Sequence, residues 1–269
     1  MRAGLRLGVV GLAASCGLVS ARSTAEPVAV RYREGVVHGL LVLRSLDGEV
    51  LAGGELLQVP RGDRVTSRMV LTFKDGSVHD ETVVFRQDRR FRLLSYRLVQ
   101  KGLRFSRPMQ VVLDGDGPVT VRHTDDDGEE KVESERIEVP ADLANGLVPI
   151  LLKNGRPDAP LEVSYLAATP KPTLVKLVVS RAGEDSFLVG GQPRKAHHYV
   201  VKVEIGGLKG VIADLLGKQP PDVHVWIAAG DAPGFVSSQG PLFMGGPVWR
   251  IDLAGPVWPE PAAAGRPSP

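Results

Sequence analysis

Apolar and polar residues alternate along most of the chain from Val36 onward, in runs that end at Gly, Asp, Asn or Pro. A period of two is typical of antiparallel strands with one buried and one solvated face. In the run 198–205 the odd positions are apolar or aromatic from Tyr199 onward, while Lys202 and Glu204 lie on the other face. The runs that predict strands are 36–46, 49–59, 64–73, 77–85, 91–99, 103–113, 119–123, 131–139, 161–167, 174–180, 198–205, 223–228 and 248–253.

The residues between these runs support hairpins. Asp47-Gly48 and Asp75-Gly76 each separate two runs, and Asp-Gly supplies the positive φ that tight hairpins require. The sequence therefore predicts an all-β fold: a large curved antiparallel sheet, or a barrel or half-barrel meander, with one or two short helices.

Two segments have helical features. In 141–153, which follows Pro140, the apolar residues have helical spacing, although Gly146 and Pro149 interrupt the segment. The second candidate is 208–217, where Gly217 is a stop signal. The helical spacing in the first segment is carried by Leu143, Leu147, Ile150 and Leu151.

One β-rich domain over 26–258 accounts for these elements. We interpret Pro170-Lys171-Pro172 as a kink between consecutive strands of one sheet, because X-Pro units force extended backbone and interrupt ladder bonding. A boundary between two sheets at 170–172 is the alternative. The Pro-, Ala- and Gly-rich stretch 259–269 lacks periodicity, so we expect a disordered tail.

The first residues resemble a targeting segment. Arg2 and Arg6 precede an apolar stretch at 7–19 that is too short to cross a bilayer, which is the layout of a secretory signal. Small residues permit cleavage after Ala21 or after Ala25, and we prefer the second, which makes 1–25 the signal peptide. The alternative is a lipoprotein signal with lipidation at Cys16, which small residues precede.

These features predict an exported protein, in the periplasm or outer envelope of a bacterium. Past residue 19 no apolar run approaches the roughly 20 residues of a membrane-spanning helix, so we expect no transmembrane segment in the mature chain. The single cysteine among 269 residues excludes a disulfide framework within one chain. Apolar residues at 43% and charged residues at 24% are the balance of a folding globular protein.

Charge is arranged in two opposed blocks. Residues 86–107 contain eight basic residues and one acidic residue, whereas 114–138 contain ten acidic residues and three basic ones. Consecutive strands usually pair, so we expect the two blocks to neutralise each other across the sheet. An anionic-lipid patch is the alternative. Because the net charge is only +2, we do not expect nucleic-acid binding.

Known catalytic motifs are missing from the sequence. It contains no Gly-rich phosphate loop, no nucleophile elbow and no histidine pair with zincin spacing. We therefore expect a protein that is not an enzyme, with no cofactor and no metal site. His79-Asp80-Glu81 follows a turn and is interpreted as solvated surface, and the acidic run 125–130 as a polar hairpin tip, with a loose cation site as the alternative.

Two aromatic-containing segments stand out near the end of the chain. Trp226 lies on the strand face opposite Val223, Val225 and Ile227, so it either caps a second hydrophobic layer or lines a cavity. The segment 222–227 (Asp-Val-His-Val-Trp-Ile), a Pro-containing turn and the closing segment 249–253 (Trp-Arg-Ile-Asp-Leu) resemble the C-terminal part of uncharacterised bacterial envelope proteins. In architecture those proteins are similar to the half-barrel carriers that ferry lipoproteins to the outer membrane.

The resemblance implies a curved sheet around an apolar cavity, with short helices as a lid. Our first functional hypothesis is a non-enzymatic envelope protein that binds an apolar or acyl-chain ligand inside the sheet. Leu147, Ile150 and Leu151 would form the lid, and Trp226 would line the cavity. The second hypothesis is a structural or assembly protein with a solid interior that engages an envelope protein partner.

Overall fold

The structure is a computed structural model and describes residues 26–125, 127–156, 159–204 and 220–255. Four sequence predictions lie outside the described residues: the signal peptide at 1–25, lipidation at Cys16, the helix at 208–217 and the disordered tail at 259–269.

The described residues form fourteen strands and one helix. The elements are β1 (Val37–Arg44), β2 (Val50–Arg61), β3 (Arg64–Phe73), β4 (Val78–Gln87), β5 (Phe91–Lys101), β6 (Met109–Asp114), β7 (Val119–Thr124), β8 (Glu130–Glu135), α1 (Val148–Asn154), β9 (Leu161–Ala167), β10 (Thr173–Val189), β11 (Gln192–Glu204), β12 (Val223–Ala228), β13 (Phe235–Pro241) and β14 (Val248–Leu253).

All fourteen strands belong to one antiparallel sheet. Its order is β8-β7-β6-β5-β4-β3-β2-β1-β14-β13-β12-β11-β10-β9, so two meanders meet where β1 pairs with β14. The sheet is curved and does not close, because β8 and β9 are its two ends. This arrangement confirms the predicted all-β class with a short helix.

Most predicted strands are present with small shifts at their ends, but the run 103–113 forms a strand only from Met109 onward and the run 131–139 only as far as Glu135. Asp47-Gly48 and Asp75-Gly76 form the expected turns, with φ of 89° at Gly48 and 83° at Gly76. The segment 170–172 connects β9 and β10, which pair with each other in the same sheet. The alternation missed β13, whose Ser, Gln and Gly positions carry no apolar period, and it missed the outer halves of the long β10–β11 hairpin, which are largely polar.

The core lies on the inner face of the curved sheet in two clusters, the larger of which surrounds α1. Pro149 falls in the first turn of this helix, where a missing N–H costs little, instead of breaking it. Gly146, just before the helix, has φ of 67°, and a Cβ there would lie 3.1 Å from Val83. Leu147 and Leu151 pack into one apolar cluster with residues from both halves of the sheet, for example Val163.

Side chains cap the outer edge of β9. Ala144 donates its backbone N–H to the Ser164 carbonyl at 2.9 Å, and Asp142 accepts the Ser164 backbone N–H at 3.0 Å. The amide of Asn145 accepts from the Leu166 N–H at 2.8 Å and donates to its carbonyl at 2.9 Å. An open edge invites pairing with other chains, and this segment occupies it instead.

None of the helices within the described ranges is long and apolar enough to cross a membrane.

We predict that Asn145→Ala destabilises the protein by about 3 kcal/mol, because it leaves two buried backbone groups of Leu166 without partners. Urea unfolding followed by circular dichroism measures the change. The control Gln110→Ala, on the outer face of β6, should change the stability by less than about 0.5 kcal/mol. Equal effects of the two substitutions would contradict the edge-capping role.

Candidate functional site

The residues predicted to form a lid lie in the core. The exposed fractions of Leu147, Ile150 and Leu151 are 1%, 6% and 4%. A cavity of ≈ 10 Å³, room for about one water molecule, lies beside Leu147, Leu151 and Val163. The helix therefore fills the space that it was expected to cover, and ligand binding by these residues stays a prediction.

Trp226 lies on the other side of the sheet. It is half-buried on the outer face, against a small apolar cluster of Phe187, Ala196 and Val236. This position corresponds to the second hydrophobic layer, the first of the two alternatives left open by the sequence. The structure does not bring Trp226 together with the three leucine and isoleucine side chains at α1, because the sheet separates them.

Residues 26–35 form a segment that we call the strap. It crosses the end of the curved sheet where α1 lies. The Val30 N–H donates to the Arg89 carbonyl at 3.0 Å, and the Tyr32 N–H donates to Oδ1 of Asn154, on α1, at 2.7 Å. Farther along, the Glu34 N–H donates to Oε1 of Gln87 at 2.6 Å. The strap thus ties the helix to the ends of β4 and β5.

A buried ion pair fastens the strap. Nζ of Lys153 lies 2.7 Å from Oε1 of Glu34, and the side chains are 13% and 3% exposed. Gln58 also donates to the Glu34 carboxylate, at 2.9 Å. A carboxylate buried this deeply is stable only while its partners remain in place.

Four arginines form a row across β2, β3, β4 and β5, next to the strap. Arg61 is opposite Arg64, Arg64 opposite Arg86, and Arg86 opposite Arg92. All four alternate with inward-facing residues, so they project from the outer face, and all four are exposed. We call them the arginine row.

Negative charge compensates the arginine row only in part, and both acids concerned are near Arg86: Asp88 interacts with it electrostatically, and Asp63 forms an ion pair with it. Asp63 lies 3.3 Å from Nε of Arg86, and it is the one carboxylate that forms an ion pair with the row in the described part of the chain. Like charges directly opposite each other on a ladder are destabilising. A sheet that keeps four such residues in register has a surface suited to an anionic partner.

Among the described ion pairs, the two charge blocks do not neutralise each other as predicted. Four basic side chains of the first block pair with acids that precede it, for example Arg97 with Asp80 at 4.0 Å. The acidic block pairs with its own cations, as in Lys131 with Asp125 at 3.3 Å. The reason is topological: β6 lies beside β5, and its outer face carries one acid, Asp114.

The interpretation of 79–81 as solvated surface is wrong for two of its three residues. His79 and Glu81 face the interior with Val83, and Asp80 faces outward. Burial lowers the pKa of His79 to about 4 and raises the pKa of Glu81, which accepts a hydrogen bond from the Tyr96 hydroxyl at 3.0 Å. Residues 79, 81 and 83 are two positions apart and therefore lie on one face of the strand. The apolar residue at 83 indicates that this face is buried.

The acidic run near Asp125 forms a hairpin tip. Oδ1 of Asp125 accepts the backbone N–H groups of Asp127 and Glu129 at 3.0 and 2.9 Å. Across the described ranges, no three His, Cys, Asp or Glu side chains converge as metal ligands.

No protein-family model matches the chain. No curated protein matches it. A solved structure that is similar is a beta-barrel-like protein of domain of unknown function DUF1849 from Brucella abortus, with 9% identity and a TM-score of 0.43 over 84% of this chain and 99% of that chain.

The strand order itself defines this chain as an all-β protein whose described strands form one unclosed antiparallel sheet. The likeness to lipoprotein carriers that the sequence implied stays a prediction.

We predict that Glu34→Gln destabilises the protein by about 3 kcal/mol, because Lys153 is left buried without a counter-charge. Chemical unfolding at neutral pH measures the loss. The matched control is Glu26→Gln, which removes an exposed ion pair with Arg90 and should cost less than about 1 kcal/mol. A loss no larger than that of the control would exclude the buried pair as the fastening of the strap.

Proposed function

We propose that this protein is an exported, non-enzymatic component of a bacterial cell envelope that binds anionic lipid headgroups through the arginine row. The in-register placement of Arg61, Arg64, Arg86 and Arg92 is the observation that carries the proposal. Lipid phosphate groups carry the charge opposite to that of the guanidinium group, and their oxygens can accept two parallel hydrogen bonds from it.

Exposed apolar side chains near the row support a lipid rather than a free anion. On the outer face of β2, Leu57 and Val59 are 43% and 38% exposed. In and after the strap, Tyr32 is 43% exposed and Val36 is 74% exposed. Arginine, tyrosine and aliphatic residues together are typical of surfaces that lie at a membrane interface.

The assignment to the envelope rests on sequence features. Arg2 and Arg6 before the short apolar stretch support export by a signal peptide. The proposal of a binding protein instead of an enzyme is supported by the missing catalytic motifs and by an interior that is packed around α1. Binding on the outer face is compatible with that packed interior.

We predict that the double variant Arg64→Gln/Arg92→Gln binds anionic vesicles about 30-fold more weakly, since each arginine near an anionic surface contributes about 1 kcal/mol. Flotation with phosphatidylglycerol–phosphatidylcholine vesicles measures the partitioning. Wild-type binding should fall as salt rises and should be weak on pure phosphatidylcholine.

The control for the vesicle experiment is Lys195→Gln/Lys202→Gln, which removes the same charge from β11. This control should bind like the wild type. The arginine variant should also keep its thermal stability, because it relieves like-charge contacts. If the wild-type protein does not bind anionic vesicles, the lipid proposal is wrong. The partner to test is then an envelope protein with an acidic surface.

A second candidate function is transport of an apolar or acyl-chain ligand inside the sheet. The polar contacts that hold the helix segment lie at its ends, at Asn145, Lys153 and Asn154, whereas Leu147 and Leu151 between them make apolar contacts. Displacement of the helix would expose an apolar inner face.

For this second candidate we predict that delipidated protein binds a fluorescent fatty acid at micromolar concentration. Asn154→Ala should tighten binding about tenfold, because it loosens the contact between helix and strap and favours the open state. Fluorescence titration gives both affinities, with Gln110→Ala as the control. Failure of both proteins to bind would eliminate an interior ligand while leaving the arginine-row proposal unaffected.

A further inference from the structure

Two histidines meet on the outer face of the second meander. His198 on β11 is opposite Trp226 in the β11–β12 ladder, and His224 is two residues before that tryptophan. Nε2 of His198 lies 2.8 Å from Nδ1 of His224, and both residues are half-buried. The two ring centroids are 5.1 Å apart.

A bulge brings a carboxylate to the same face. The register of β10 shifts between Arg181 and Gly183, which reverses the facing of the residues that follow. Asp185 therefore projects to the outer face, where its Oδ2 lies 3.7 Å from Nδ1 of His198 and accepts the Trp226 indole N–H at 2.6 Å.

These contacts orient the His198 ring. Trp226 stacks on it, with ring centroids 4.6 Å apart and an interplanar angle of 10°. The Asp185 carboxylate lies on the Nδ1 side of His198 at 3.7 Å, which is longer than a hydrogen bond, so its direct effect on the ring is electrostatic. A carboxylate behind an imidazole, on the side away from its coordinating nitrogen, is the usual outer support of a metal-binding histidine.

The spacing of the two nitrogens suits a square-planar ion. With metal–nitrogen bonds of about 2.0 Å, adjacent ligands on such an ion lie about 2.9 Å apart. The observed 2.8 Å matches that separation, and both rings must turn by about 45° from a linear hydrogen bond to direct their lone pairs at one ion. The ion replaces the proton that the two imidazoles share, and that proton leaves to solvent.

We propose that His198 and His224 form a two-histidine binding site for a divalent transition-metal ion, with Cu²⁺ preferred, in which Asp185 positions His198 and water completes the coordination. Two protein ligands give a site of modest affinity that is open to exchange. Imidazole ligands favour Cu²⁺ over Ni²⁺ and Zn²⁺. This inference is independent of lipid binding, because it concerns β10–β12 and the arginine row concerns β2–β5.

The test is calorimetric titration of the protein, without an affinity tag and after treatment with a chelator, with CuSO₄. We expect one Cu²⁺ per chain and an electron paramagnetic resonance spectrum with couplings from two imidazole nitrogens. Affinity should decrease from Cu²⁺ to the other two ions. Cu²⁺ should also quench the Trp226 fluorescence, and Trp226→Phe should reduce that change.

Three substitutions test whether the ion binds at the proposed residues. His224→Gln and His198→Gln should each weaken Cu²⁺ binding by more than about tenfold, and Asp185→Asn by about tenfold through loss of ring orientation. The control His38→Gln removes an exposed histidine that pairs with Glu55 on β2 and should leave binding unchanged. Circular dichroism verifies that each variant is folded.

Two results would overturn the proposal. One is a wild-type protein that shows no saturable Cu²⁺ binding. The other is equal weakening by His38→Gln and His224→Gln, which identifies adventitious surface binding of the ion.

Discussion

The packing of α1 against the inner faces of both meanders is the contact on which the rest of the structure depends. An unclosed sheet of fourteen strands has a large apolar inner face that must be covered. Leu147, Ile150 and Leu151 cover the larger part of that face and join residues of β3–β7 to residues of β9–β12 in one cluster, while Phe105 and Trp249 pack a second cluster near β1. The curvature of the sheet follows, because both halves have to reach the same short helix.

Polar contacts set the position of this helix. Asn145 and Asp142 replace a strand partner at the edge of β9, and Glu34 brings the strap to Lys153. Such buried polar groups add specificity because few other arrangements satisfy all of them. The helix, the strap and the edge strand β9 are therefore held together, and the proposed binding surfaces lie on the outer face of the sheet.

The outer face differs between the two meanders. Around β2–β5 it carries the arginine row and exposed aliphatic side chains. Around β10–β12 it carries Trp226, the two histidines and Asp185, which the bulge near Gly183 places on that side. The residues of both surfaces lie outside the inner core. Substitutions at either surface should therefore have little effect on the fold.

Alternation along the chain determined most strands and both Asp-Gly turns, since a half-buried strand needs apolar residues at every second position. Helical spacing of Leu147, Ile150 and Leu151 indicated the helix, although the structure begins it at Val148 instead of at 141. Two features required the tertiary structure: the pairing of β1 with β14 and the alignment of Arg61, Arg64, Arg86 and Arg92. They depend on register between distant residues and on what each strand face contacts, and local periodicity carries neither kind of information.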